Sequence, residues 1–205
     1  MTSVFGSGFV RTGHGQKKLS RLQARLICLD ETGFFMAPIV RRTWAPCGIT
    51  PILAVWQRPH GKVSALGALV VSPRRHHVNL FLALHPRKNV RGPEVLHFLR
   101  HLRRHNRGPL LLLWDRGKPH RHRQVHDYLQ HHPQWHVEWL PPYAPELNPQ
   151  EQVWNHLKFG CLSNFAPDSV QHITRQVRRH SRRATRRPQL LKNLFRNSQL
   201  PFLLR

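Results

Sequence analysis

Acidic residues are what this chain has least of: 9 Asp and Glu face 33 Lys and Arg among 205 residues, for a formal net charge of +24. Such an imbalance makes the chain repel itself unless a polyanion neutralises it, so nucleic acid is the expected partner. Charge by itself separates neither DNA from RNA nor an enzyme from a packaging protein, because backbone phosphates attract any dense cationic surface. Long apolar runs are missing too. The longest, such as Leu110 to Trp114, fall far below the roughly 18 residues of a membrane helix, and no span or membrane partner is expected. Met1 to Gly15 holds neither a basic segment followed by an apolar stretch nor a small-residue cleavage site, which points away from secretion and towards the cytoplasm. Cysteine is sparse as well. Cys28, Cys47 and Cys161 form no CxxC pair and leave an odd count for disulfides, so they are expected to be reduced and packed.

What is present suits one α/β domain with tails. Residues 1–24 are Gly-rich and basic without sustained periodicity and read as an arm or the remnant of an upstream region. Arg25-Leu-Ile-Cys-Leu-Asp30 is an apolar run that ends in an acid before Thr32-Gly33, the pattern of a buried strand closing in a turn. Further strands are expected over Ile49 to Trp56, Lys62 to Val71 and Val78 to Leu84, the first two joined by a turn at Arg58-Pro-His-Gly61. Val95, Leu96, Phe98, Leu99 and Leu102 then recur at helical spacing behind Pro93. Gly108-Pro-Leu-Leu-Leu-Leu-Trp-Asp115 repeats the strand-then-acid pattern. A helix through Val125 to Leu129, a strand at Trp135 to Leu140 and a helix opening near Pro149, with Asn148 as its cap, complete the core. This order predicts a mixed sheet flanked by helices.

Two of the nine acids end apolar strands and a third, Glu151, sits on the first turn of a helix. In an open sheet the crevice beyond the strand ends is where ligands bind, so Asp30, Asp115 and Glu151 are candidates to converge there. Three clustered carboxylates need cations, and hard divalent ions such as Mg²⁺ or Mn²⁺ take oxygen ligands. Two such ions about 3.5–4 Å apart activate a water or a 3′-hydroxyl on one side of a phosphodiester and stabilise the leaving oxygen on the other.

Four segments carry a resemblance: Asp30-Glu-Thr-Gly33, Arg42-Thr-Trp-Ala-Pro-Cys-Gly48, Trp114-Asp-Arg-Gly-Lys-Pro-His120 and Leu140-Pro-Pro-Tyr-Ala-Pro-Glu-Leu-Asn-Pro-Gln-Glu-Gln-Val-Trp154. In this order they resemble the motifs of bacterial insertion-sequence transposases of the Tc/mariner superfamily, and 35 residues lie between Asp115 and Glu151, close to the DDE spacing. The resemblance covers roughly residues 25–160. It implies a ribonuclease H-like fold, expected as a domain over 25–165, and the basic, helically spaced residues beyond it read as a C-terminal extension over 166–205. It also implies two divalent metal ions held by Asp30, Asp115 and Glu151, and cleavage of transposon DNA followed by strand transfer. His120 matches a family histidine near the second aspartate, while Arg116 and Arg121 stand where the family often has Asn and Ser. The implied partner is double-stranded DNA, both transposon ends and target, bound by a homodimer in the nucleoid. A separately encoded helix-turn-helix portion would recognise the ends. The alternatives are a ribonuclease H-like nuclease that cuts without joining and a truncated, inactive transposase that only binds DNA.

Glu31, next to Asp30 on an extended chain, is expected to point away from it and to be solvated or structural. Arg41, Arg42 and Trp44 are candidate DNA contacts, with packing as the alternative for Trp44. Arg175, Arg178, Arg179, Arg182, Arg183, Arg186 and Arg187 fall on one helical face, opposite Val170, Ile173, Val177 and Ala184, with no acid among them. Such a row suits phosphate tracking. The crowd of His120, His122, His126, His131 and His132 pairs with no cysteine at zinc spacing and is not read as a metal store.

Overall fold

A computed structural model describes residues 23–53 and 61–200 together with Leu204. The expected N-terminal arm therefore lies almost wholly outside the described residues, as do Arg58 to His60 of the expected turn. Five strands form one mixed sheet in the order β3-β2-β1-β4-β5: β1 Arg25–Phe35, β2 Lys62–Val71, β3 Val78–Pro86, β4 Leu110–Trp114 and β5 Trp135–Trp139. The first three pair antiparallel, whereas β4 runs parallel to β1 and β5 parallel to β4. The helices are α1 Gly92–His105, α2 Arg123–Gln130, α3 Pro149–Asn155, α4 Val170–Thr185 and α5 Pro188–Arg196.

The pleat sends alternate residues to opposite faces, and both faces are covered. Ile27, Leu29, Leu112 and Trp114 pack with Val95, Phe98 and Leu99 of α1 and Val125 of α2. Leu26, Cys28, Leu111 and Leu113 pack on the other side with Trp154, Ile173, Val177, Leu191 and Phe195. Burial on both faces is why β1 and β4 read as unbroken apolar runs rather than alternating ones. The C-terminal helices belong to the same core, since Val170, Ile173, Val177 and Ala184 of α4 are all buried and the arginines of α4 are all exposed. That helix ends at Thr185, so Arg186 and Arg187 lie in the junction to α5 rather than on the helical face.

Two expectations are corrected. β1 does not close in a turn after Asp30 but runs on to Phe35, because β2 pairs with it continuously from Leu26↔Val71 to Phe35↔Lys62. A full cross-strand ladder outweighs the local turn preference of Thr32-Gly33. Asp30 is thus inside a strand, opposite Gly67. Of the strand expected over Ile49 to Trp56, residues 49–53 are irregular, and Ala54 onwards lies outside the described residues. Ile49 and Ile52 are exposed, so their apolar pattern has no layer to pack on.

Gly67 is required by packing. A Cβ there would collide with Nε2 of the fully buried Gln150 and with the ring of Trp154, both on α3. The substitution Gly67→Ala is expected to push α3 off the sheet and cost about 1–3 kcal/mol by overpacking. Denaturant unfolding measures this, and an unchanged midpoint would mean that α3 yields freely.

Candidate active site at the end of the parallel strands

The parallel ladder aligns Cys28 with Leu113, and two residues beyond that pair lie Asp30 and Asp115. Asp30 shares the face of Cys28 and is buried, with 7% of its surface exposed. Asp115 directly follows β4 and is exposed. Glu151 comes from α3, whose start is built as its sequence predicts: Pro149 occupies the first turn and the Asn148 side chain accepts from the Gln150 N–H at 3.2 Å.

Three links dock this helix along β1, and sequence reasoning missed all of them. Asn148 Nδ2 donates to the Leu29 carbonyl at 3.1 Å, and Trp154 Nε1 donates to Asp30 Oδ2 at 2.8 Å. Beyond α3 the chain widens into a π-helical turn, His156–Cys161, from which Lys158 Nζ reaches Thr32 Oγ1 at 2.5 Å. A signal for Lys158 was available, because it stands seven residues after Glu151 and so shares its helical face.

The acids are brought into electrostatic range of one another. Burial, then the charges of Glu151 and Glu31, push the Asp30 carboxyl well above the usual range; the Trp154 hydrogen bond opposes this and Asp115 adds to it. Burial lowers the Lys158 ammonium while Glu151 and Asp30 raise it, so its charge faces both acids.

Glu31 points to the other face of the sheet, as expected, but it has a partner there. His120 Nε2 lies 2.6 Å from Glu31 Oε1, and its Nδ1 lies 2.9 Å from Asp115 Oδ1. The ring stacks on Trp114 at 4.1 Å, presented by the single turn Lys118–Arg121. Burial disfavours its charge, yet the bonds to Asp115 and Glu31 outweigh that and push its pKa up to about 10. The same bond to His120 holds Asp115 below the usual carboxylate range against partial burial, with help from the Gly117 N–H at 2.9 Å. Glu31, Asp115 and His120 are also the one trio of potential metal ligands within 4.8 Å of one another among the described residues. The two short contacts of His120 join the three in a hydrogen-bonded clamp that orients Asp115.

Arg41, Arg42 and Trp44 are exposed, Trp44 completely, so the packing alternative for Trp44 does not hold. They sit on the β1–β2 connection, which is tied to the chain after the π-helical turn through Arg41. Its backbone N–H donates to Asn164 Oδ1 at 2.8 Å and its carbonyl accepts from Asn164 Nδ2 at 2.9 Å. Cys28 is buried in the core, Cys161 is half-buried and Cys47 is exposed. No helix among the described residues is long and apolar enough to cross a membrane.

A mixed sheet with its acids gathered beyond the paired stretch of the central parallel strands defines the class by fold: a ribonuclease H-like domain. The family follows from the sequence profile of the DDE superfamily endonucleases, which matches residues 25–173; the chain belongs to that family. Among solved structures, it is similar to the Mos1 mariner paired-end complex with Mn at 18% identity and a TM-score of 0.64, covering 92% of this chain and 58% of that one. The Mos1 strand transfer complex is 17% identical with a TM-score of 0.56, covering 94% and 62%. The catalytic domain of Mos1 mariner transposase is 15% identical with a TM-score of 0.53, covering 96% of both chains. At these identities the likeness is one of fold, and the chain spans about three-fifths of the length of the transposases in the complexes. No curated protein sequence matches the chain.

In metal-free protein the His120 ring is expected to titrate near 10 by two-dimensional NMR. With an unfolded value of about 6.5, its contribution to stability is full below that pH, declines above it and is lost as pH rises through the folded value. A ring midpoint near neutrality would remove the clamp.

Proposed function

We propose that this chain is the catalytic portion of a DDE transposase, with Asp30, Asp115 and Glu151 as its catalytic metal ligands. The observation that carries this is the docking of α3 on β1 beside the parallel pair of β1 and β4, with Glu151 and Asp115 both close enough to Asp30 for their charges to raise its carboxyl pKa. Such repulsion suits hard divalent cations, and the donor set is all oxygen. Mos1 structures were determined with Mn and with Mg, and the reading here is two ions of Mg²⁺ or Mn²⁺. When bound, they supply an activated water or 3′-hydroxyl and a stabilised leaving oxygen at a phosphodiester.

The chain's own residues hold the ligands in place. Trp154 engages Asp30 through Oδ2 and leaves Oδ1 for a cation. His120 and the Gly117 N–H engage Asp115 through Oδ1 and leave Oδ2. Lys158, anchored on Thr32, keeps a positive charge beside Asp30 and Glu151 and offsets part of their repulsion before metal arrives. The substrate of this reading is double-stranded DNA, cut at transposon ends and joined to a target. The protein acts as a homodimer in the cytoplasm at the nucleoid, with end recognition from a separately encoded helix-turn-helix portion. Arg42, Trp44 and the exposed α4 arginines supply DNA contacts.

The substitutions Asp30→Asn, Asp115→Asn and Glu151→Gln are each expected to lower Mg²⁺-dependent nicking by ~10³-fold or more, the loss of several kcal/mol of transition-state stabilisation. Salt-sensitive DNA binding should survive in all three. Undiminished nicking by all of them would sink the assignment. With pre-cleaved ends, failure of the wild-type chain to join them to target DNA would reduce it to a nuclease.

A further inference from the structure

Gln150 is fully buried on α3, and among the described residues neither its Nε2 nor its Oε1 has a hydrogen-bond partner. An amide shut away from water with both ends unpaired destabilises the fold, and an apolar side chain of the same length would not. Its place on the sheet shows what it faces. Gly67 has no side chain, and Gln150 Nε2 fills the space that a Cβ there would take, together with the Cη2 and Cζ2 edge of the Trp154 indole. In the antiparallel ladders Gly67 stands between Asp30 on β1 and Leu82 on β3. Residues paired in this way present their side chains on one face with Cβ atoms about 4.5–5.5 Å apart. The amide therefore takes the cross-strand position that a side chain on residue 67 would have held, with a carboxyl as its neighbour on one side and a leucine on the other.

The other polar side chains of α3 and β1 around this point are engaged. Asn148 Oδ1 accepts from the Gln150 backbone N–H, and Asn148 Nδ2 donates to the Leu29 carbonyl. Thr32 Oγ1 accepts from Lys158, and the residues opposite Cys28 and Thr32 are the apolar Leu69 and Ala65. Asp30 still has capacity, since Trp154 Nε1 takes one position on Oδ2 and an ionised carboxylate offers about four.

We propose that Gln150 is a second positioning residue for Asp30, its amide N–H donating to the carboxylate beside the indole N–H when that carboxylate is drawn onto cations. The terminal torsion of a glutamine has broad preferences, so a turn about it brings an N–H towards the acid without moving α3. Two donors one helical turn apart then fix the carboxylate against rotation while its remaining lone pairs face the metal. Hydrogen bonds of this kind orient ligands and support metal affinity from outside the coordination sphere. That Asp30 is a metal ligand rests on the proposed function, whereas the unpaired amide opposite it does not.

The test is Mn²⁺ binding to the full chain without DNA, read from the electron paramagnetic resonance of the free ion where every variant is fully folded. Gln150→Met keeps the side-chain length and removes the amide. It is expected to raise the Mn²⁺ Kd by ~10-fold or more, with a denaturant midpoint at or above that of wild type. Gln150→Leu repeats the comparison with a different shape, and the loss of affinity must appear in both variants whatever their midpoints. A purely structural Gln150 changes the midpoint and leaves the affinity of the folded chain alone, so wild-type affinity in either variant overturns the proposal. An equal loss from Val153→Ala, a buried packing residue on the same helix, overturns it too, because loosened packing rather than the amide would then be responsible. Asp30→Asn separates the two readings. Undisturbed Mn²⁺ binding in that variant removes the carboxylate assignment, whereas binding lost there but unchanged in the Gln150 variants removes only the role of Gln150.

Discussion

The seam between α3 and β1 is the constraint on which the site depends. Asn148, Trp154 and Lys158 bind β1 at Leu29, Asp30 and Thr32, so a short helix of seven residues is held along one strand from its cap, from within and from the π-helical turn that follows it. Too short to be stable alone, it relies on these bonds and on Trp154 packing over Gly67. Glu151 is positioned by that seam rather than by its own contacts. The same indole N–H that joins helix to strand also orients the Asp30 carboxylate, which couples the fold's integrity to the geometry of the acids.

Electrostatics explains how acids survive in so basic a chain. Each of the three family-pattern acids has a nearby cationic or donor group: Trp154 for Asp30, His120 with Gly117 N–H for Asp115, and Lys158 beside Glu151. Glu31 belongs to this arrangement from the opposite face of the sheet, since its bond to His120 keeps the imidazole charged and thereby holds Asp115 ionised. Basic residues lie elsewhere, on the exposed arginines of α4 and of the β1–β2 connection, where solvent reaches them. Separating the two lets a small acidic centre persist in an otherwise cationic surface.

Sequence reasoning reached the elements whose signal is local. The apolar runs of β1 and β4, the α1 periodicity, the Asn148 cap and the two-faced α4 were all readable, because burial and helical period leave their mark residue by residue. It failed where a distant partner decided the outcome. The turn after Asp30 yielded to β2, where Asp30 pairs with Gly67, 37 positions later, and the apolar pattern at Ile49 found no layer to cover it. Glu31 reads from the sequence as solvated or structural, and nothing in its neighbourhood announces that its partner is a histidine 89 positions later.

The sequence by itself determined the family, the candidate acids and the charge that implies a polyanion, since motif order, spacing and composition are one-dimensional properties. Only the tertiary structure decided that Asp30 sits within a strand, that Trp154, Lys158, Glu31 and His120 hold the acids, and that Arg41 is tied to Asn164 and laid over the Phe159 ring. Those facts depend on distances between residues far apart in the chain, which pairing and packing set and no local pattern encodes.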